Sequence, residues 1–111
     1  MLPFARLTII GLGLIGSSVA RAVRAQMPSV RVIGHDVDPV VRARSVALGI
    51  CDDVTDTAGA SVIDADLVIL CVPVGAMGAV AAEFAADLPA DAIVSDVGSC
   101  KQSVVDALTA V

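Results

Sequence analysis

Tryptophan and tyrosine are absent from this chain of 111 residues, leaving Phe4 and Phe84 as its only large aromatic side chains. Its core must therefore rest on Val, Ile, Leu and Ala, and the aromatic platforms that stack single-stranded nucleic acid are excluded. Charge is scarce too: 17% of residues are charged against 57% hydrophobic, and the seven Lys and Arg form no run. A formal charge of −5 and a pI near 4.4 argue against a nucleic-acid partner. Cys51, Cys71 and Cys100 are an odd set at wide spacing, neither a disulfide framework nor a zinc pattern. They read as reduced, mostly buried thiols in a cytoplasmic protein, with no metal site expected. Long apolar runs are lacking as well. Leu7 to Ala20 and Leu67 to Ala82 fall short of the ~18–20 residues of a spanning helix and contain glycine, so no membrane partner is expected. A signal peptide is the other reading of the first run, with Ser18-Val19-Ala20 as its cleavage site. Its glycines have a stronger explanation in a turn.

What is present is an alternation of short β-branched runs with Ala-rich helical stretches, without linker, repeat or low-complexity segment. The length allows one domain, and a mean hydropathy of +0.89 suits a parallel sheet covered on both faces. Strands are predicted at Leu7–Gly11, Val30–Gly34, Leu67–Val72 and Ala92–Ser95, with a short one inside Ile50–Val54. A helix is predicted from Leu14 to Gln26, with Ile15, Val19, Ala22 and Val23 as its apolar stripe. A second opens at Asp38-Pro39, a carboxylate cap followed by proline at the first helical position, and ends at Leu48 before Gly49. Thr55 to Asp64 reads as loop plus a short helix. Gly75 to Leu88 carries a stripe of Met77, Val80, Phe84 and Leu88. A last helix from about Cys100 shows Val104, Leu108 and Val111 on one face. The pattern is an α/β fold, a doubly wound, mostly parallel sheet of the Rossmann type that ends before the usual sixth strand.

Gly11-Leu12-Gly13-Leu14-Ile15-Gly16 is a G-x-G-x-x-G motif that closes a strand and opens a helix, the context in which it binds a dinucleotide. Gly11 permits the tight turn, Gly13 lets backbone approach a pyrophosphate, and Gly16 lets helix and strand pack closely. The amide groups at the helix start, around Leu14 and Ile15, face the phosphates. The bland alternative is a structural turn. Asp36 lies 20 residues after Gly16, where a carboxylate accepts the hydroxyls of the adenine ribose and repels a 2′-phosphate. NAD is thus expected over NADP, although Arg42 and Arg44 stand close behind and either would soften the repulsion. His35 is expected beside the adenosine rather than in catalysis. Cys71-Val72-Pro73 ends a strand where backbone borders the nicotinamide-side ribose. Asp96-Val97-Gly98-Ser99-Cys100-Lys101 ends the next strand at the same edge. There Ser99 is either a helix cap or a hydroxyl that meets an anionic substrate.

These blocks, together with Gly34-His35-Asp36, Asp38-Pro39, Ala47-Leu48-Gly49-Ile50 and Ala65 to Leu70, resemble the N-terminal domain of prephenate and arogenate dehydrogenases. The resemblance covers essentially the whole chain and makes residues 1–111 an NAD(P)-binding domain. It implies oxidative decarboxylation of prephenate or arogenate on the way to tyrosine, in a homodimeric enzyme. It gives Ser99 a catalytic contact with the substrate hydroxyl, while the family's catalytic histidine sits in an H-P-x-x-G-type block after the next strand. That block, the substrate-gripping arginine and the helical dimerisation domain are not in this sequence, so the fragment is expected to bind cofactor without turnover. A β-hydroxyacid-type dehydrogenase domain, usually with methionine where Ile15 stands, and a non-catalytic dinucleotide sensor are the alternatives.

Overall fold

Side chains alternate between the two faces of a strand, so an unbroken apolar run can be buried only if helices cover both faces. The computed structural model, which describes residues 5–96, has that arrangement. In chain order it forms β1 (Arg6–Ile10), α1 (Leu14–Gln26), β2 (Arg31–His35), α2 (Pro39–Leu48) and β3 (Asp53–Thr55). Then come α3 (Ala58–Val62), β4 (Leu67–Leu70), α4 (Val74–Phe84), a 3-10 turn at Ala85–Asp87, and β5 (Ile93–Asp96). All strand pairs are parallel and the order is β3-β2-β1-β4-β5. Among the described residues the sheet has five strands, as expected; the expected helix from Cys100 lies outside them.

Leu7, Ile9, Val32 and Ile69 point to one face and form a buried cluster with Ala20 and Val23 of α1 and with Ile50 and Cys51. Ile10, Val68 and Leu70 point to the other and meet Ala58, Val62, Ala65 and Phe84. The neighbours Leu7 and Ile9 against Ile10, and Ile69 against Val68 and Leu70, show the period of two directly. Thr8, also on the second face, is fully buried, and its hydroxyl donates to the Ser61 carbonyl, so that this hydroxyl is satisfied.

Several boundaries move. β4 stops at Leu70 rather than Val72: the Cys71 N–H still donates to the Ile10 carbonyl at 2.8 Å, and the chain then turns into Pro73, which caps α4. β3 is confined to Asp53–Thr55, because the Ile50 N–H is held by the Ser45 carbonyl at the end of α2. α4 starts one residue early and tightens after Phe84, so Leu88 belongs to extended chain beyond the turn. The apolar stripe of α1 is also corrected. Gly16, Ala20 and Val23 are its buried residues, whereas Ile15 and Ala22 are exposed. Small residues let the helix sit close to the sheet, which rotates Ile15 outward. α2 is as expected: Asp38 Oδ1 accepts from the Val40 N–H at 2.8 Å, Pro39 opens the helix, and Gly49 closes it in the left-handed region at φ 63°. Among the described residues, no helix is long and apolar enough to cross a membrane.

Phe84 is the largest fully buried side chain among the described residues and the centre of the second cluster. Phe84→Ala should cost ~3–5 kcal/mol, read as a lowered urea midpoint at unchanged slope. A loss within experimental error would mean that α4 does not anchor that face.

Candidate functional site

β1 lies between β2 and β4, and the connections that leave the carboxyl ends of β1 and β4 run to opposite faces, α1 packing on the Leu7 and Ile9 face and α4 on the Ile10 and Leu70 face. Open α/β sheets bind ligands in the crevice at such a switch point. The β1–α1 turn lies in it. Gly11 adopts φ +100°, and a Cβ there would stand 2.4 Å from the Cys71 carbonyl oxygen and 3.1 Å from Val72 Cγ1. A side chain at Gly16 would stand 1.8 Å from the Gly11 carbonyl oxygen. Around Gly13, by contrast, none of the described residues lies within 4 Å of a would-be Cβ. Two glycines are thus required by packing, while the middle one leaves open space beside the start of α1.

That start also lacks the caps that two of the other helices carry. α2 is capped by Asp38 and α3 by Thr57, whereas α1, like α4, has no side-chain cap among the described residues. Its leading amide groups and its partial positive charge remain available to an anion. Leu14 and Ile15 project outward beside them, 88% and 49% exposed.

Asp36, half-buried just past β2, ties this turn to the next one. Its Oδ2 accepts from the Leu12 N–H at 2.8 Å and its Oδ1 from the Asp38 N–H at 2.9 Å. A carboxylate offers about four lone-pair sites, so two remain for further donors. Arg42 does not stand against this carboxylate as a counter-charge. Its Nη1 donates to the Asp36 and Val37 carbonyls at 2.8 and 3.3 Å, and its Nε lies 3.8 Å from Asp56. Arg44 lines a separate cleft of about 300 Å³ between α1 and α2, shared with Gly13, Ser17 and Arg21. A second cleft, of about 430 Å³, opens between the β2–α2 turn and the start of α3, with His35, Val37, Arg42 and Thr57 in its walls. His35 is buried, its Nδ1 2.9 Å from the Thr55 carbonyl, on the Asp36 side of the crevice.

Gly11, Gly13, Leu14, Ile15, Gly16, Asp36, Cys71, Val72 and Pro73 therefore gather at one carboxyl edge, although they come from three segments of the chain. Ser99 lies outside the described residues. Sequence reasoning missed Leu12, whose N–H donates to Asp36 and whose side chain fills the space over Gly34, and the Asp56–Thr57 wall. Neither has a motif; both arise from loops that meet only in the fold. Cys51 is buried, and burial pushes its thiol from the ordinary 9.0 up to about 11, with Arg24 pulling the other way. Cys71 is only half-buried, which amends the expectation of mostly buried thiols.

A glycine-rich strand-to-helix turn at a switch point of a parallel sheet defines a nucleotide-binding domain of the Rossmann type. The more particular assignment comes from likeness to known proteins. A family model described as "Prephenate dehydrogenase, nucleotide-binding domain" matches residues 19–111, and the chain belongs to that family. The match begins inside α1, so the glycine turn precedes it. The chain is 52% identical over 108 residues to a cyclohexadienyl dehydrogenase of Zymomonas mobilis, covering 97% of this chain and 37% of that protein. It is 37% identical over 97 residues to a prephenate dehydrogenase of Bacillus subtilis, covering 86% of this chain and 26% of that one. The crystal structure of a prephenate dehydrogenase from A. aeolicus in complex with hydroxyphenyl propionate and NAD+ superposes with a TM-score of 0.77 at 28% identity. That likeness covers 86% of this chain and 34% of the other. The chain thus spans roughly a quarter to two-fifths of the proteins it matches.

Gly16→Ala should disturb both fold and site, because the added methyl meets backbone rather than a flexible side chain; a melting temperature equal to the parent's would refute the close contact. The raised pKa of Cys51 means that the folded state keeps the thiol neutral at pH values where the unfolded chain ionises it. Its contribution to stability is intact below about pH 9 and lost as the pH rises towards about 11. Cys51→Ser should flatten that alkaline decline in urea titrations, and native Cys51 should resist alkylation at pH 8.

Proposed function

We propose that this chain is the NAD-binding part of a prephenate or arogenate dehydrogenase. The observation that carries the cofactor reading is the Asp36 carboxylate fastened against the glycine turn at Leu12, with two lone-pair sites to spare. Those sites match the two hydroxyls of an adenine ribose, and the negative charge opposes a 2′-phosphate. The open backbone at Gly13 and the uncapped amides of Leu14 and Ile15 suit a pyrophosphate. The cleft beside His35 and Val37 suits the adenine, and the Cys71–Pro73 backbone borders the nicotinamide-side ribose.

Bound NAD+ would supply the acceptor for hydride from the ring carbinol, the ring carboxylate leaving as CO₂. This chain's part is to hold and orient. Ser99, in the Asp96-to-Lys101 block, is the proposed contact to the substrate hydroxyl. A serine positions that hydroxyl but does not take its proton at neutral pH, so a base is required elsewhere; His35, turned to Thr55 on the adenosine side, is not that base. On the same family resemblance the working enzyme is a cytoplasmic homodimer with a small-molecule substrate and no nucleic-acid or membrane partner.

Isothermal titration should show tighter binding of NAD+ than of NADP+. Asp36→Ser should narrow the gap by roughly 1–2 kcal/mol, the worth of a charge repulsion at a partly solvated site. Equal affinities in the parent would refute the role of Asp36. Gly13→Val should abolish binding while keeping the parent's circular-dichroism spectrum, because the fold leaves room for the side chain and the pyrophosphate does not. Undiminished binding would reduce the motif to a turn.

A further inference from the structure

Arg42 makes more contacts at the mouth of the crevice than a solvated surface arginine needs. Its side chain is 22% exposed, whereas that of its ionic partner Asp56 is 95% exposed. An ion pair with so exposed a carboxylate is weak, and 3.8 Å is too long for a good charge-assisted bond. The Asp56 contact does not account for the burial of Arg42. The two carbonyls do. A single guanidinium nitrogen, Nη1, reaches both the Asp36 and the Val37 carbonyl, and the first of these residues carries the carboxylate that lies on the glycine turn. The backbone of Arg42 completes the arrangement, its N–H donating to the Asp38 carbonyl at 3.1 Å in the first turn of α2. Asp38 in turn donates its own N–H to Asp36 Oδ1. The carboxylate is thus aimed by a closed ring of contacts, in which the Arg42 side chain holds the turn from the helix side.

We propose that Arg42 is a positioning residue for nucleotide discrimination: it clamps the turn at 36–38 so that the Asp36 carboxylate stays on the glycine turn. This rests on the reading of Asp36 as the ribose acceptor. The clamp and the obvious alternative, Arg42 as a counter-charge that admits a 2′-phosphate, act in opposite directions. If Arg42 were a counter-charge, its loss would weaken NADP+ more than NAD+ and widen the preference. If it is a clamp, its loss frees the carboxylate. The ribose then loses its acceptor, the 2′-phosphate escapes part of the repulsion, and the preference narrows. Lysine separates the two further, since it keeps the charge but lacks the planar guanidinium whose Nη1 meets the two carbonyls while its Nε faces Asp56.

The experiment is titration of the full chain with NAD+ and NADP+ in the parent, Arg42→Ala and Arg42→Lys, with a melting curve for each. The expected result is a loss of NAD+ affinity of about tenfold in Arg42→Ala, a much smaller change for NADP+, and a narrowed preference in Arg42→Lys also. If Arg42→Ala fails to fold, the lysine variant decides alone. A preference that is unchanged, with both affinities falling in proportion to a lower melting temperature, would make Arg42 merely structural and overturn the proposal. A widened preference in Arg42→Ala, or a lysine variant that behaves as the parent, would also overturn it. A parent that binds neither nucleotide would refute the dinucleotide reading itself, an outcome distinct from failure of the clamp.

Discussion

The absence of a methyl group at position 16 governs the arrangement of this domain. A Cβ there would lie 1.8 Å from the carbonyl oxygen of Gly11, so helix α1 reaches its observed seat only with hydrogen in that place. The seat brings Ala20 and Val23 onto Leu7 and Ile9, and it holds the first turn of the helix over the end of β1. It also leaves Gly13 and its neighbours facing outward with free amides. Gly11 adds the complementary constraint, since its positive φ turns the chain beneath the Cys71 carbonyl and couples the turn to β4. Nucleotide binding and close packing of the first βα unit are therefore one requirement seen from two sides.

Asp36 extends that coupling to the second βα unit. Its carboxylate bridges the amide of Leu12 and that of Asp38, so the glycine turn and the turn before α2 move together. The group proposed to read the nucleotide is in this way part of the scaffold, and is held by backbone donors rather than by a neighbouring cation. Its charge stays available to oppose a phosphate. The loop preceding α3 joins the same assembly through Arg42 and through the Thr55 carbonyl at His35. Three connections that are far apart along the chain thus share one hydrogen-bonded edge.

The strands and helices could be read along the chain because their signals are local. Val32, Val68 and Ile69 lie in β-branched runs, Asp38-Pro39 and Gly49 are cap residues at the ends of one helix, and the glycine spacing is a motif with a mechanism. The errors fell where a local signal competes with packing. Ile15 and Ala22 follow the helical period as well as Gly16 and Ala20 do, and hydrophobicity alone favours Ile15 for the core. The sheet instead selects the small residues, because they permit the shorter distance. Ile50 and Cys51 are apolar and buried as a strand would be, but the Ser45 carbonyl already holds the Ile50 amide.

Residue order was enough to specify the class of fold, the apolar runs of the buried strands, the glycine turn and the carboxylate that stands behind it. Each is written in residues adjacent along the chain or a fixed number of positions apart. It took the folded chain to establish which way Arg42 and Arg44 turn, that the Leu12 amide donates to Asp36, that the Thr55 carbonyl meets His35, and that Asp56 belongs to the wall of the crevice. Those contacts join segments as much as 24 residues apart, and their direction depends on how closely two helices and three loops settle on the sheet. No periodicity encodes that distance. It is set by the small volume of the residues at Gly16, Ala20 and Gly34, and by the number of backbone donors each loop has left to satisfy.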